Sequence, residues 1–309
     1  MVDVAVIGSL NMDTVIEVDA LPKPGETING LSINKFPGGK GANQATVLAK
    51  LGRSVSLIGK IGNDENGKEL QRCLRANGVD LSNLGISSDK ATGSAFIVVD
   101  KNGHNQIIVS SGANAEVDVD YIQQNMECIK NARMLLMQYE IPVATVEFII
   151  DFANRNKIPV VVNPSPFSQM THTDIRQVDY LVLNESEAAA YLGNDVTSIE
   201  SAKEAVFQIF NFGVKHVVLT LGSQGAVICD ENGQIEHLPA MKVTAVDTTG
   251  SGDAFLGGFL TGILGQKTYR DAVGFANAVG AITVAKLGAQ SSLPDMNEVT
   301  KFIEEFNVA

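Results

Sequence analysis

Along the chain, short apolar runs alternate with segments whose apolar residues recur every three or four positions. Met1–Gly8, with Val2-Asp3-Val4-Ala5-Val6-Ile7 at its centre, reads as a buried strand ending at a glycine. In Gly41–Leu51 the residues Ala42, Ala45, Leu48, Ala49 and Leu51 keep helical spacing, and Gly52 stops the pattern. Val55–Gly59 predicts a strand, and Asn66–Asn77 a helix ended by Gly78. Further β-rich runs lie at Arg133–Gln138, Pro159–Asn163, Tyr180–Leu183 and Val217–Thr220, with helical stretches between them. The last third is mostly helical, at Asp253–Leu264, Tyr269–Lys286 and Met296–Phe306. Strands alternating with helices predict an α/β fold, a central and mostly parallel sheet flanked by helices.

Two stretches break the rhythm. Thr14–Phe36 holds Val15-Ile16-Glu17-Val18, a turn around Pro22, Pro24 and Gly25, and an alternating run over Thr27–Phe36. Ala91–Ser111 reads as a hairpin, with Ala95–Val99 and Gln106–Val109 joined by Asp100-Lys101-Asn102-Gly103. Four strands without helices, inserted at about 14–36 and 91–111, predict a small β-sheet lid on a single α/β domain spanning 1–309.

Composition narrows the function. The formal charge of −12 makes nucleic acid and acidic membrane surfaces poor partners, though one local pocket can still hold a small anion. No apolar run is long enough to cross a bilayer, and no basic leader precedes the first strand, so the chain reads as cytoplasmic. Cys73, Cys128 and Cys229 lack metal or redox spacing, and His104, His172, His216 and His237 are scattered. Zinc chemistry and a Ser/His/Asp arrangement are therefore not expected.

The candidate chemistry sits in glycine-rich turns. In Asp247-Thr248-Thr249-Gly250-Ser251-Gly252-Asp253, Gly250 and Gly252 permit a tight turn whose N–H groups converge. The helix that starts there adds its positive end, which makes an anion pocket without a basic side chain. An acid in such a pocket repels phosphate unless it has a task, and the task available to Asp253 is to take a proton from an attacking hydroxyl. The bland alternative is an aspartate that stabilises the helix start. A second cluster, Pro37-Gly38-Gly39-Lys40-Gly41-Ala42-Asn43-Gln44, opens another helix, and Asn43 offers a polyol both a donor and an acceptor. Asn11 and Asp13 follow the first strand, as turn residues or as ligands at the carboxyl edge of the sheet. Asn184-Glu185-Ser186-Glu187 has capping-box spacing, with Glu187 near a hydrated Mg²⁺ as the functional alternative. Thr220-Leu221-Gly222-Ser223-Gln224-Gly225 is a glycine turn after a strand. Gly62–Glu69 has P-loop spacing, but Glu69 replaces the Ser/Thr and Asp64 and Glu65 would face phosphate, so it is rejected. No G-x-G-x-x-G follows the first strand.

In order, the motifs are G-S-L-N-M-D at Gly8–Asp13, G-G-K-G-A-N at Gly38–Asn43, M-Q-Y-E at Met137–Glu140, N-E-S-E at Asn184–Glu187 and D-T-T-G-S-G-D at Asp247–Asp253. This series resembles the ribokinase family of carbohydrate kinases over essentially the whole chain. The resemblance implies transfer of a phosphoryl group from ATP, with Mg²⁺, to the 5-hydroxyl of ribose, and a homodimer formed through the β-lid. Deoxyribose, fructose or a nucleoside is the alternative acceptor, and a sugar sensor without turnover is a rival of another class. Sugar-site residues implied are Asn11, Met12, Asp13, Gly39, Lys40, Gly41, Ala42, Asn43, Glu140 and Asp253. For the nucleotide they are Asn184, Thr220, Leu221, Gly222, Ser223, Gln224, Gly225, Gly252, Asp253 and Asn277, with Glu187 on the Mg²⁺ side. Gly250, Ser251 and Gly252 correspond to the anion hole beside the base Asp253. A K⁺ loop is implied at Asp247, Thr249, Thr283, Lys286, Gly288 and Ser292. Gly250-Ser251 stands where alanines are frequent in the family, and Ser165 interrupts an expected N-P-A-P at Asn163–Pro166.

Overall fold

The structure, a computed structural model, describes residues 2–167 and 175–308. Met1, the first residue of the predicted opening strand, and His172 lie outside the described residues. The strands are β1 (Val2–Ile7), β2 (Asn11–Val18), β3 (Ser32–Gly38), β4 (Val55–Gly62), β5 (Leu84–Ser87), β6 (Gly93–Asp100) and β7 (Asn105–Ser110). They continue as β8 (Ala132–Gln138), β9 (Val160–Asn163), β10 (Tyr180–Asn184), β11 (His216–Thr220), β12 (Ala226–Cys229) and β13 (Ile235–Leu238). The helices begin with α1 (Lys40–Lys50), α2 (Glu65–Ala76), α3 (Val119–Gln124), α4 (Met126–Lys130) and α5 (Val143–Asn156). After them come α6 (Glu185–Leu192), α7 (Ile199–Asn211), α8 (Ser251–Leu264), α9 (Tyr269–Val284) and α10 (Met296–Val308).

Nine strands form one sheet in the order β13-β12-β11-β10-β9-β8-β1-β4-β5. All neighbours are parallel up to β11, and the pairs β11–β12 and β12–β13 at one edge are antiparallel. Because successive side chains point to opposite faces, each strand feeds two cores. Ala5 and Ile7 join Leu135, Met137, Leu181 and Leu183 under Ile149 and Ala153 of α5 and Val206 and Ile209 of α7. Val4 and Val6 join Met134, Leu136, Val161 and Val182 under Ala45 and Leu48 of α1 and Phe255 and Phe259 of α8. With both faces covered, the central strands read as unbroken apolar runs. From β1 the chain adds strands outward through β4 and β5, then returns to β8 and builds the other way. The carboxyl end of β1 is thus the switch point of the sheet, where open α/β folds form their crevice.

A second sheet has the order β3-β2-β6-β7. Its β2–β6 pair is parallel and its outer pairs antiparallel. Two boundaries differ from the expectation. β2 begins at Asn11, so Asn11 and Asp13 are strand residues and not turn residues. The run predicted over Thr27–Phe36 becomes a strand only at Ser32; the residues before it are tied at Leu31, whose N–H donates to Glu17 O at 2.7 Å. No helix among the described residues is long and apolar enough to cross a membrane.

Candidate active site

At the end of β1 the chain passes Gly8 and Ser9 before entering β2, and the start of α1 is pressed against this corner. A Cβ on Gly41 would lie 2.6 Å from Gly8 C and Ser9 N, so only glycine lets the helix enter here. Ala42 N–H donates to Ser9 O at 2.9 Å. Glu140, just after β8, accepts from Ser9 Oγ at 2.5 Å and from the Lys40 N–H at 3.1 Å. Three segments far apart in sequence are thereby locked around one carboxylate.

Asp253 faces the same corner from α8. Gly250, at φ 76°, supplies the left-handed residue from which α8 starts, and Asp253 is its third helical residue. The side chain does not cap its own helix. It is 6% exposed and accepts from Asn43 Nδ2 at 3.0 Å and Gln44 Nε2 at 2.8 Å. The N–H groups of Gly252 and Asp253 lie in the first turn, where a helix offers them no acceptor and its dipole is positive.

Asp13 lies across from this carboxylate, on β2. A Cβ on Gly38 would sit 2.1 Å from its Oδ2, so the paired strand leaves room for it only by having no side chain there. Among the described residues no protein group hydrogen-bonds the Asp13 carboxylate. Burial, and then the charges of Glu140 and Asp253, push its pKa up to about 7. Burial alone would lower the pKa of Lys40, yet the carboxylates of Asp253, Glu140 and Glu187 outweigh it and hold it above the ordinary lysine value. Asn11 is buried, and its Oδ1 accepts from Asn114 Nδ2 at 2.8 Å. Met12 packs into the core beneath. The pocket therefore combines carboxyl groups, one ammonium and oriented amides, a set that matches the hydroxyls of a polyol.

Beyond Gly252 opens a cavity of about 540 Å³. Thr220, Gly222, Ser223, Gly225, Ser251, Gly252 and Asn277 line it, together with Ala240–Val243, Phe255 and Ala281. A Cβ on Gly252 would meet nothing within 4 Å, so the backbone of the turn is bare toward this space. Asn277 Nδ2 donates to Pro239 O at 3.1 Å. Asn184, Leu221 and Gln224 do not line the cavity; Leu221 is buried beneath it.

Both capping-box bonds of α6 form: Glu187 N–H donates to Asn184 Oδ1 at 2.9 Å and Asn184 N–H to Glu187 Oε2 at 3.0 Å. The cap is real, and it leaves Glu187 Oε1 as the oxygen with no role in it. Asp247 accepts from Thr249 N–H and Gly288 N–H, each at 2.9 Å, which ties the turn before Gly250 to the loop after α9. Burial would raise its pKa, but these bonds and the Thr249 hydroxyl together hold it below the usual carboxylate value. Thr283 Oγ1 donates to Val279 O and Ser292 Oγ to Ala289 O, while the Lys286 ammonium pairs with Glu298. No cluster of three His, Cys, Asp or Glu able to hold a metal occurs among the described residues.

Ser9, Gln44, Gln138, Asn114 and Gln290 also belong to this network, and the sequence assigns none of them a role. Ser9, Gln44 and Gln138 stand within the quoted motifs, which is their only signal, and Asn114 and Gln290 stand in none.

Residues 1–296 match the pfkB family carbohydrate kinase profile. The ribokinase of Haemophilus influenzae is 38% identical over 299 residues, covering 97% of each chain. A deoxyribokinase of Salmonella typhi is 30% identical over 302 residues, covering 97% of this chain and 98% of that one. Among solved structures, the ribokinase of Thermotoga maritima superimposes with a TM-score of 0.87 at 37% identity, over 98% of this chain and all of that one. The Arabidopsis thaliana ribokinase complexed with ribose and ATP gives 0.90 at 29% identity, over 98% and 99%. The match runs through the sheet, the glycine turns and the α8 entry alike, and the chain belongs to the pfkB family of carbohydrate kinases.

Proposed function

We propose that this kinase moves the γ-phosphoryl group of ATP onto the 5-hydroxyl of D-ribose. The observation that carries this reading is the placement of Asp253. Its carboxylate faces the polyol-binding corner, while the turn from which its helix starts opens into the nucleotide-sized cavity. Asp253 takes the proton of the primary hydroxyl, that oxygen bonds to the γ-phosphorus, and the bond to the bridging oxygen breaks to release ADP. First-turn N–H groups of α8 stabilise the charge that spreads over the transferring oxygens. Asp13 and Asn43 hold the secondary hydroxyls, and Asn11, Lys40 and Glu140 fix the corner. The four-stranded sheet closes over the sugar as a lid and keeps water from the phosphoryl group. The carboxylate-lined pocket fits ribose, and deoxyribose is the alternative that a named relative favours. The test is a coupled ADP-release assay over ribose, deoxyribose, fructose and adenosine. The expected result is the highest kcat/KM for ribose, with phosphorus NMR identifying the 5-phosphate. A higher value for any other acceptor replaces the ribose assignment and keeps the kinase.

Two cations go with this chemistry. Glu187 has one carboxylate oxygen outside the cap and would hold a hydrated Mg²⁺ through it, which would supply positive charge to offset that of the ATP phosphates. Asp247 and Thr249, with the segment holding Thr283, Lys286, Gly288 and Ser292, offer hard oxygens and a single formal charge, a donor set suited to K⁺. Activity is expected to rise with K⁺ at constant ionic strength and to rise little with Na⁺. An equal rate with a bulky organic cation in place of K⁺ refutes the site.

The outer sheet exposes Ile33, Phe96 and Ile108 on one face, with Ile107 and Val109 exposed on the other. A patch of this kind supports the reading of a homodimer that pairs through the lid. Sedimentation is expected to give a dimer and Ile108→Lys a monomer; a wild-type monomer at micromolar concentration overturns it. A cytoplasmic location, where ATP is supplied, accompanies this function.

A further inference from the structure

We propose that Gln290 is a positioning residue for Asp253, acting through Asn43, and that it makes the base answer to the loop after α9. The inference rests on the reading of Asp253 as the base. An ionised carboxylate only accepts hydrogen bonds. Asn43 therefore turns Nδ2 to Asp253 Oδ2, which leaves Asn43 Oδ1 facing away and in need of a donor. Gln290 Nε2 supplies it at 3.2 Å. Gln290 Oε1 is then buried with no partner. The other oxygen of Asp253 imposes the same order. Gln44 Nε2 donates to Oδ1, Gln138 Nε2 donates to Gln44 Oε1 at 2.6 Å, and Gln138 Oε1 is left buried and unpartnered. Five buried side-chain polar atoms among the described residues lack a partner, and two of the five are the far ends of these amide relays. Orphans are rare in folded proteins, and a pair placed symmetrically about one carboxylate calls for a cause.

The relays differ in what anchors them. Gln44 Nε2 also reaches Asn163 Oδ1 at 3.2 Å, and Asn163 Nδ2 donates to Val182 O at 2.9 Å, so this relay is fixed in the sheet. Gln290 stands on the loop that Gly288 ties to Asp247. A shift of that loop moves Gln290, frees Asn43 and loosens one side of Asp253. The orphan at Gln290 has a use within the cycle. When Asp253 has taken the hydroxyl proton, its Oδ2–H becomes a donor. Asn43 and Gln290 can then both turn over, Asn43 accepting with Oδ1 and sending Nδ2 to Gln290 Oε1. Both charge states of the base are satisfied by this pair of amide flips, and the only proton involved is that of the sugar hydroxyl.

Gln290→Glu keeps the size and replaces the donor with a second acceptor. Asn43 must then donate toward position 290 and turn its oxygen on Asp253. We expect kcat to fall by about 30- to 100-fold with KM for ATP within about twofold of wild type. Gln290→Met keeps the length with neither donor nor acceptor, so its expected loss is smaller, about 5- to 10-fold. Wild-type kcat in Gln290→Glu, or equal losses in both variants, overturns the proposal. If Gln290→Glu does not fold, a folded Gln290→Met with wild-type kcat overturns it, and a kcat loss at unchanged KM for ATP supports it. Full turnover in Asp253→Asn sinks the base reading itself, whereas a flat Gln290 series in an enzyme that Asp253→Asn inactivates sinks only this proposal.

Discussion

Asp253→Asn is expected to lower kcat by about 10²- to 10⁴-fold and to leave KM for ATP little changed, because the variant cannot accept the hydroxyl proton as the proposed base does. The surroundings make the substitution more than the loss of a charge. Asp253 receives two amide donors, one on each oxygen. The replacement amide has a single acceptor, so one donor meets an NH₂ group and must turn away. A role limited to the helix start gives a different result. The side chain makes no cap bond to its own helix, so only the dipole interaction is lost, about 0.3–1 kcal/mol. Steady-state phosphorylation kinetics and a thermal melt on the same preparation separate the two. A folded variant with near-normal turnover defeats the mechanism.

Asp13→Ala is expected to weaken ribose binding by roughly 10²- to 10⁴-fold while leaving ATP binding nearly intact, since charge-assisted bonds contribute about 1.5–3 kcal/mol each and two are lost. In the sugar-free protein the same residue has a second, opposite effect. Native Asp13 holds its proton up to about pH 7, whereas in the unfolded chain the proton leaves near the ordinary value of 3.8. Between these values the native state binds more protons, so stability falls as pH rises through the window and the penalty is complete above it. Asp13→Asn removes the penalty. Its melting temperature should exceed that of wild type by an amount that grows as the pH rises from about 4 to about 8, reaching several degrees for a gain on the order of 2 kcal/mol. Ribose, which donates its hydroxyls to the ionised form, should bind wild type more tightly at about pH 8 than at about pH 6, with proton release. Calorimetry in two buffers of different ionisation enthalpy measures that release. A pH-independent ribose affinity, or a variant no more stable than wild type at about pH 8, refutes this account of Asp13.

The parallel core was legible because strands covered on both faces leave unbroken apolar runs, as in Val4–Ile7 and Val217–Leu219. The strands toward the two edges were not. β5 carries Gly85, and β12 and β13 are four residues each with no long alternation to mark them. The alternation over Thr27–Phe36 overstates its strand because the pattern starts before the pairing, which begins at Ser32. At the site, the glycine turns and Asp253 were visible as local chemistry, since a turn and a helix start are written in adjacent residues. The partners were not. Gln290 lies 247 positions from Asn43, and Asn114 lies 103 from Asn11, and nothing local distinguishes either from a loop amide. The raised pKa of Asp13 comes from burial by the fold and from carboxylates on two distant segments, a sum that no single stretch of sequence contains.

β2 has neighbours on both edges for most of its length, paired with β3 on one side and β6 on the other. Its first residues include Asn11 and Asp13, and from Asn11 it runs on to Val18, about 23 Å away at the usual rise of a strand. A ribbon braced along both margins bends poorly, so it behaves as a stiff lever whose short arm is in the pocket proposed for the sugar and whose long arm lies in the exposed sheet. A small rotation about the corner at Ser9 sweeps the outer face widely, and pressure on that face returns to the pocket as a small, forceful displacement. Grip on the sugar and grip on whatever rests against the outer sheet are two ends of one rigid bar.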